Sequence, residues 1–382
     1  MGMRRTFGLW AAIVGTSLLA LSCKPPAPKE IRLGAIIALS GPGKAAGEAA
    51  REGLDLAVDE LNAGDFKATP IRLTLADSAS DPDAALAALR KMVEVQKVPA
   101  ILGLVLSDEV LACAPAANQL KTVILSTNAS SNDIRVAGDY VFRNETRSEF
   151  RTAALADLLA QRLVGKRIAI LHSSSGSAVS ASESLTNAML SRGLKSALNL
   201  EFPAGRTNFR AEIERLRGLK PDAVYVTAFD KDSGTFLKQA AEAGFAPQFY
   251  AEGLFSQALL DAAGPAAEGL IGPYSIFDAE SADPRVKAFV TAYRSRYGKK
   301  PHSTAANTYD AVRLLAEQIR GGATTGEQVK EALYGVQDFP GVVGPIRFDS
   351  DGEVKRSVRL VQVRDGVYRS LEAAATPPKP TN

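Results

Sequence analysis

Short apolar runs rich in β-branched residues alternate along the chain with longer stretches in which apolar residues recur every three or four positions. This alternation is typical of parallel sheets whose strands are connected by helices on both faces. The first cycle has a nearly all-apolar segment at residues 31–39, a break at Ser40-Gly41-Pro42-Gly43, and a helical pattern over residues 47–61. Because an unbroken apolar strand is buried on both faces, this cycle predicts an α/β fold with a parallel central sheet.

The cycle repeats in two series. The first has predicted strands at residues 71–75, 100–105 and 123–125, with helices opening at Asp81-Pro82 and covering residues 107–119. The second has predicted helices at residues 151–163, 178–192, 208–217 and 233–243, with strands at residues 167–171 and 223–227. Helices at residues 284–297, 304–320 and 325–334 follow, and residues 358–368 predict a closing hairpin around an Asp365-Gly366 turn. A weak parallel between residues 98–102 and 220–224 indicates two similar lobes.

The first residues have the features of an export signal. Arg4 and Arg5 precede an apolar run at residues 7–21 that is too short for a stable membrane span. The run ends at Leu19-Ala20-Leu21-Ser22-Cys23, which resembles a bacterial lipobox, whose cysteine is lipidated after cleavage. The alternative is an ordinary signal peptide with an incidental cysteine. We predict a lipoprotein signal peptide at residues 1–22 and a periplasmic protein attached to the membrane only through a lipid on Cys23.

Two further segments lie outside the predicted lobes. Residues 23–30 are rich in proline and predict an extended tether, and residues 373–382 are small, proline-rich and polar, which predicts a disordered tail. The roughly 340 residues between them are long for one hydrophobic core and suit two lobes.

Composition and motifs argue against several other classes of protein. The net charge of +3 comes from interleaved signs, so no basic stripe predicts nucleic-acid binding. The segment Gly41-Pro42-Gly43-Lys44 lacks the flanking residues of a phosphate loop, and no dinucleotide fingerprint or Gly-x-Ser-x-Gly elbow occurs. Two isolated histidines, His172 and His302, argue against a metal site or a serine triad. We therefore expect that the protein is not an enzyme and that it needs no cofactor. We expect Cys113 to be a small buried residue without a disulfide partner.

A set of short segments occurs in a familiar order. These segments include Ile37-Ala38-Leu39-Ser40-Gly41-Pro42, Gly53-Leu54-Asp55-Leu56-Ala57, Ser80-Asp81-Pro82, Ser126 to Ser130, Phe142-Arg143, Asp222-Ala223-Val224, Ala251-Glu252-Gly253, Ala267-Glu268-Gly269, Asn307-Thr308-Tyr309-Asp310-Ala311 and Gly344-Pro345-Ile346. Together they resemble the leucine/isoleucine/valine-binding proteins of branched-chain amino-acid ABC transporters. No single segment is specific, but the ordered set covers nearly the whole chain after residue 30.

The resemblance implies the type I bilobed fold of periplasmic binding proteins. Two Rossmann-like α/β lobes are then joined by three crossovers, and the ligand is trapped between them as a hinge closes. We expect the crossovers near Thr146, Ser275 and Arg356. Lobe 1 would then comprise residues 31–146 and 276–356, and lobe 2 residues 147–275 and 357–372. The resemblance also implies a monomer that works with the permease subunits of an ABC transporter.

The same resemblance assigns ligand-binding roles. It implies that Ser107 holds the ligand carboxylate, together with the backbone of Ala129 and the hydroxyl of Ser130, and that Glu252 faces the ammonium group. These roles fit the physics, because a carboxylate prefers hydroxyl and N–H donors at a helix start and an ammonium prefers a carboxylate. Each residue also has a structural interpretation: Ser107 and Ser130 as helix N-caps, and Glu252 as a solvated loop acid.

The wall for the ligand side chain departs from the family pattern. Where branched-chain binders have aromatic rings, this chain has Ala46, Ser177 and Thr304, and only Phe229 keeps a ring. Apolar Val105 and Leu106 stand beside Ser107. Since each lost ring would bury roughly 150 Å2 or more, we expect a larger or more polar cavity.

Three hypotheses about function follow. The first is capture of a small ligand, an amino acid of the branched-chain class or a related one, for delivery to an ABC importer. The second is a binding protein of the same kind for an amide, a urea or an aromatic carboxylate. The third is a regulatory envelope lipoprotein that binds no small molecule and has a protein partner instead.

Overall fold

The computed structural model describes residues 29–252, 256–275 and 277–371. The predicted signal peptide, Cys23, most of the predicted tether and the predicted tail therefore lie outside the described residues. Among the described residues, no helix combines the length and the apolar composition that a membrane span requires.

The chain alternates strands and helices as the hydrophobic pattern predicts. The strands are β1 Ile31–Ile37, β2 Ile71–Asp77, β3 Ala100–Gly103, β4 Val123–Ser126, β5 Val141–Arg143, β6 Ile168–Ser173, β7 Ser196–Phe202, β8 Ala223–Thr227, β9 Gln248–Glu252, β10 Ile271–Ser275, β11 Phe339–Pro340, β12 Pro345–Ile346, β13 Val358–Arg364 and β14 Val367–Ser370. The α-helices are α1 Lys44–Ala63, α2 Pro82–Arg90, α3 Ser107–Leu120, α4 Ser148–Arg162, α5 Gly176–Leu190, α6 Arg210–Leu219, α7 Asp230–Glu242, α8 Gln257–Ala263, α9 Pro284–Tyr297, α10 Ser303–Arg320 and α11 Gly326–Tyr334.

The larger strands form two sheets with the same internal order. The first sheet has the order β2-β1-β3-β4-β5 and is parallel throughout. The second has the order β14-β13-β10-β9-β8-β6-β7, in which β13 and β14 form the predicted antiparallel hairpin. Since β7-β6-β8-β9-β10 repeats the order of the first sheet with parallel pairing, the expected similarity of two α/β units is confirmed.

Helices cover both faces of each sheet. In the first sheet, Ile37 packs into a core with α1, α9, α10 and α11, whereas its neighbour Ile36 packs on the other face with α2 and α3. In the second sheet, Leu171 packs toward α6, α7 and α8, and Ile170 packs toward α4 and α5. The alternation of adjacent side chains between two apolar cores explains why these strands have nearly continuous apolar sequences. Cys113 is buried in the core that contains Ile36, as expected.

Some predicted boundaries are wrong, and backbone geometry gives the reason. β3 ends at Gly103 rather than at residue 105, because Gly103 (φ +97°) and Leu104 (φ +40°) turn the chain out of the sheet. A Cβ at position 103 would lie 2.5 Å from the carbonyl oxygen of Ile36, so a larger residue would not fit. The turn directs residues 105–107 away from the sheet.

Several helices, α4 and α5 among them, begin earlier than the pattern predicts. The helix predicted at residues 151–163 begins at Ser148, which places Arg151 in its first turn. The helix predicted from residue 178 begins at Gly176. Both changes bring polar residues to a helix start, a position that hydrophobic periodicity does not report.

The region of the predicted crossovers contains a buried polar network. The side chain of Arg356 donates to the backbone oxygen of Asn144 (3.1 Å) and to the side-chain oxygen of Asn307 (2.7 Å). Asn307 in turn donates to the carboxylate of Glu145 (2.8 Å). Because buried polar groups must be hydrogen-bonded, this network fixes the segment after β5 against α10. The crossover positions near Thr146, Ser275 and Arg356, and the lobe boundaries, stay predictions.

Candidate functional site

A cavity lies at the carboxyl ends of strands from both sheets. In open α/β sheets, ligands bind beyond the carboxyl ends of the strands, where the strand order reverses. Both sheets have such a point, between β1 and β3 and between β6 and β8.

All of the predicted ligand-binding residues except Thr304 line this cavity. They are Ala46, Val105, Leu106, Ser107, Ala129, Ser130, Ser177, Phe229 and Glu252. Thr304 lies in the first turn of α10 and is not among the lining residues. Its hydroxyl donates to the side-chain oxygen of Asn128 (2.8 Å), and Asn128 does line the cavity. Thr304 therefore supports a lining residue from behind. A ligand-binding role for the lining residues stays a prediction.

Ser107 is the first residue of α3, and its hydroxyl has an unusual set of partners. The oxygen accepts hydrogen bonds from the backbone N–H groups of Ser130 (3.2 Å) and Ser131 (3.1 Å). The N-cap of α3 is Leu106, so the interpretation of Ser107 as an N-cap is wrong. Since a hydroxyl has two lone pairs and one proton, both acceptor positions are filled and the O–H is left to donate. No acceptor for that proton lies among the described residues, and the hydroxyl lines the cavity.

The loop after β4 is held in place by Arg143. Its guanidinium is fully buried and donates to the backbone oxygens of Ala129 (3.3 Å) and Ser131 (2.6 Å) and to the carboxylate of Glu353 (2.6 Å). On the other side, the N–H of Ser148 donates to the backbone oxygen of Ser130 (2.9 Å). The N-cap interpretation of Ser130 is also wrong, because its hydroxyl accepts from that of Ser148 (3.3 Å). These bonds fix the backbone that surrounds the Ser107 hydroxyl.

Glu252 ends β9 and is only 3% exposed, so the interpretation as a solvated acid is wrong. One carboxylate oxygen accepts from the hydroxyl of Tyr225 (3.0 Å), and the other lies 3.4 Å from Nε of Arg151. Burial raises the pKa of Glu252, while Arg151, Tyr225 and Ser148 oppose that rise. The carboxylate therefore lies in the cavity wall with partial compensation of its charge.

Several lining residues were not predicted from the sequence: Asn128, Arg151, Ala178, Thr227, Ala228 and Asp230. Most of them adjoin a predicted residue along the chain, so strand-end position is the signal that would have found them. Arg151 has a different signal. A cation in the first turn of a helix opposes the helix dipole, which indicates another reason for its presence.

The two sheets approach each other across the cavity. Both carboxylate oxygens of Asp108, in the first turn of α3, lie within 3.1 Å of the backbone nitrogen of Gly176 at the start of α5. The N-cap of α5, Ser175, makes no side-chain cap of its own. A carboxylate at a helix N-terminus satisfies a free N–H and interacts favourably with the dipole. The backbone N–H of Asn132 likewise donates to Ser180 of α5 (2.9 Å), so polar contacts close the cleft.

The absence of a side chain at Gly176 leaves room for this contact. A Cβ at that position would lie 2.5 Å from the nearer carboxylate oxygen of Asp108. Phe229, which follows β8 of the second sheet, packs against the apolar core of the first sheet. The structure is therefore a closed form in which both sheets contribute to one cavity wall.

No group of three or more His, Cys, Asp or Glu side chains within the described ranges is arranged to hold a metal ion. The chemistry that the cavity offers is recognition by hydrogen bonds and charge.

Residues 30–367 match the family described as periplasmic binding protein. The chain belongs to that family. This periplasmic binding protein is 25% identical over 358 residues to the leucine-, isoleucine-, valine-, threonine- and alanine-binding protein of Pseudomonas aeruginosa, covering 93% of this chain and 94% of that one. It is 26% identical to a leucine-binding protein structure from Thermotoga maritima, with a TM-score of 0.83 and coverage of 91% and 99%. The predicted resemblance and the type I bilobed fold are confirmed.

The same fold occurs with another ligand class. A solute-binding protein of an ABC transporter from Rhodopseudomonas palustris, in complex with 3,4-dihydroxybenzoic acid, is 23% identical with a TM-score of 0.81 over 91% of this chain and 98% of that one. The coarse prediction of a periplasmic solute-binding protein of ABC transporters is confirmed.

Removing the Asp108 carboxylate tests the contact between the sheets. We expect Asp108→Ala to shift the ligand-free periplasmic binding protein toward an open form, because loss of a helix cap costs about 0.5–2 kcal/mol. Small-angle X-ray scattering should then show a larger radius of gyration. Glu149→Ala is the matched control: it removes an acid from the first turn of α4, where Glu149 pairs only with Arg147 of the same segment (3.7 Å). Equal radii for the two variants would contradict the role of Asp108 in closure.

Proposed function

We propose that this periplasmic binding protein captures an α-amino acid in its cleft and delivers it to an ABC importer. The observation that carries the proposal is the opposition of an unused hydroxyl donor, Ser107, and a buried carboxylate, Glu252, in the wall of one closed cavity. A zwitterion supplies both complementary groups. A carboxylate accepts from the hydroxyl at the start of α3, and an ammonium donates to Glu252.

The cavity wall bears on the ligand side chain. Val105, Leu106 and Phe229 offer apolar contact, whereas Ala46 and Ser177 are small. The Pseudomonas aeruginosa relative is named for five amino acids with small or aliphatic side chains. This wall supports an uncharged side chain of modest size in the proposed ligand.

A second candidate ligand is an aromatic carboxylate. It is favoured by the ion pair between Glu252 and Arg151, because Glu252 already has a cationic partner and a ligand without an ammonium would leave that pair intact. In this case the ligand carboxylate would still bind at Ser107, with its ring against Phe229.

A ligand screen with Glu252→Gln separates the two candidates. The thermal unfolding of the mature protein should be measured in the presence of individual amino acids and benzoates. The readout is the fluorescence of an added dye, because the only Trp, Trp10, lies in the predicted signal peptide and cannot report on unfolding. A micromolar ligand at a thousandfold excess stabilises the fold by about 4 kcal/mol, a shift of several degrees. For an amino-acid binder, Glu252→Gln should weaken binding by about 10- to 100-fold, since it removes a charged hydrogen bond. Tighter binding of benzoate by that variant would instead establish the second candidate.

Ser107→Ala tests the carboxylate site directly. We expect this variant to bind the amino acid with the largest thermal shift about 10- to 100-fold more weakly, because a charge-assisted hydrogen bond is lost. The matched control is Ser182→Ala. Ser182 is also buried, and its hydroxyl accepts from the side-chain N–H of Asn199 (3.1 Å), but it does not line the cavity. Both variants should melt earlier, and calorimetry should show an affinity loss only for Ser107→Ala. Equal affinities would exclude Ser107 from the site.

The proposal also includes export and anchoring through Cys23, which the lipobox-like residues 19–23 support. Cys23→Ala should release the protein from the membrane fraction into the soluble periplasmic fraction, because the lipid is attached to that sulfur. Immunoblotting of the separated fractions measures the effect. A wild type that incorporates no labelled fatty acid, and that fractionates identically to Cys23→Ala, would show that Cys23 is incidental.

A further inference from the structure

Arg151 projects into the cavity from the second sheet. It lies in the first turn of α4, a helix whose Leu155 and Leu159 pack with the strands of that sheet. Its side chain is 10% exposed and lines the cavity. One turn earlier, the hydroxyl of Ser148 contacts that of Ser130 and lies close enough to Glu252 to lower the pKa of that carboxyl. Because residues three apart lie on one helix face, Arg151 is placed beside both of these groups.

The guanidinium of Arg151 has unused hydrogen-bond donors. Its Nε is buried and has no hydrogen-bond partner, and no hydrogen bond from its other nitrogens is formed within the described part of the chain. Its one close charged partner there is Glu252, at 3.4 Å from Nε. A guanidinium carries five N–H donors, and a buried donor without an acceptor is costly. The arrangement is therefore incomplete without an acceptor from the ligand.

The position of Arg151 complements that of Ser107. The hydroxyl of Ser107 belongs to α3, which packs on the first sheet, whereas Arg151 belongs to α4 on the second. Ser130, whose N–H binds the Ser107 oxygen, is the residue that Ser148 contacts from α4. A carboxylate that accepts from Ser107 thus lies next to the turn of α4 that carries Arg151.

We propose that Arg151 is a specificity-determining residue that donates to the ligand carboxylate from the second sheet, opposite Ser107. The proposal rests on the cleft being the ligand site, as proposed above, and holds for an amino acid or an aromatic acid alike. The carboxylate then bridges the two sheets, which links its binding to closure, because a ligand drives closure only through contacts that it gains in the closed state. With an amino acid bound, the charges alternate: carboxylate, Arg151, Glu252 and ammonium.

A structural role as the counter-ion of Glu252 makes a different prediction. In that case, removing Arg151 would weaken every ligand to the same extent, whatever its charge. A ligand that lacks the carboxylate therefore distinguishes contact with the ligand from support of Glu252.

The experiment compares an acid with its amide on the mature protein. Affinities for leucine and leucinamide, or the corresponding pair for the amino acid that the wild type prefers, are measured by calorimetry and by competition. Benzoate and benzamide form the second pair. The variants are Arg151→Met, Arg151→Lys and the control Arg162→Met, which removes the same charge from the exposed far end of the same helix.

We expect Arg151→Met to lower the acid-to-amide affinity ratio by about 10- to 100-fold, with Arg151→Lys in between and Arg162→Met unchanged. The pair that shows the loss identifies the source of the carboxylate as an amino acid or an aromatic acid. An unchanged ratio in a folded Arg151→Met protein would overturn the proposal. If that variant fails to fold, Arg151→Lys and the double variant Arg151→Met/Glu252→Gln, which leaves no unpaired charge, carry the same comparison. Failure of the wild type to bind any of these compounds would instead overturn the proposed function.

Discussion

The geometry of the site depends on the buried guanidinium of Arg143. A fully buried cation must be paired and hydrogen-bonded, and Arg143 meets that requirement with Glu353 and with the backbone oxygens of Ala129 and Ser131. Three segments that are distant in sequence are thereby joined at one point. Separating them would leave an uncompensated charge in the interior, at a cost of about 3–5 kcal/mol. These bonds fix the loop at residues 129–131, whose N–H groups hold the Ser107 oxygen. The bonds of Arg143, which lie outside the cavity, thereby limit where the Ser107 hydroxyl can donate its proton.

Much of the fold follows from periodicity, and the exceptions have physical causes. The Asp81-Pro82 helix start and the hairpin at 358–368 were predicted because capping and turn residues act locally. β7 was missed because it lies at the sheet edge, where three of its seven residues are exposed and its pattern is polar. The polar site residues were predicted from the family resemblance, and their positions agree with the way parallel strands bring their carboxyl ends together. Arg151 was not, since its role depends on the approach of two sheets that no single segment encodes.

The cavity combines small polar groups from rigid elements rather than from long loops. Ser107 and Gly176 begin helices, Glu252 ends a strand, and each is fixed by bonds to residues outside the cavity or across it. Such a site loses little conformational entropy when it is occupied. Ala46 and Ser177 are small residues in this wall, at positions where the resemblance implies aromatic rings. Under the proposed function, the apolar part of the wall would therefore set side-chain selectivity separately from the polar groups that bind the charged ends of the ligand.

The bond between Asp108 and Gly176 joins two groups of the protein itself and includes no ligand atom. Its stabilisation of the closed form is independent of cargo, so it increases the population of closed but empty molecules. The family binds small-molecule ligands and works with the permeases of ABC transporters. An empty closed molecule would present the same closed surface to a permease as a loaded one. A stronger bond between Asp108 and Gly176 would therefore improve the capture of ligand from dilute solution. It would also lower the fraction of closed molecules that carry ligand, and so reduce the rate of delivery.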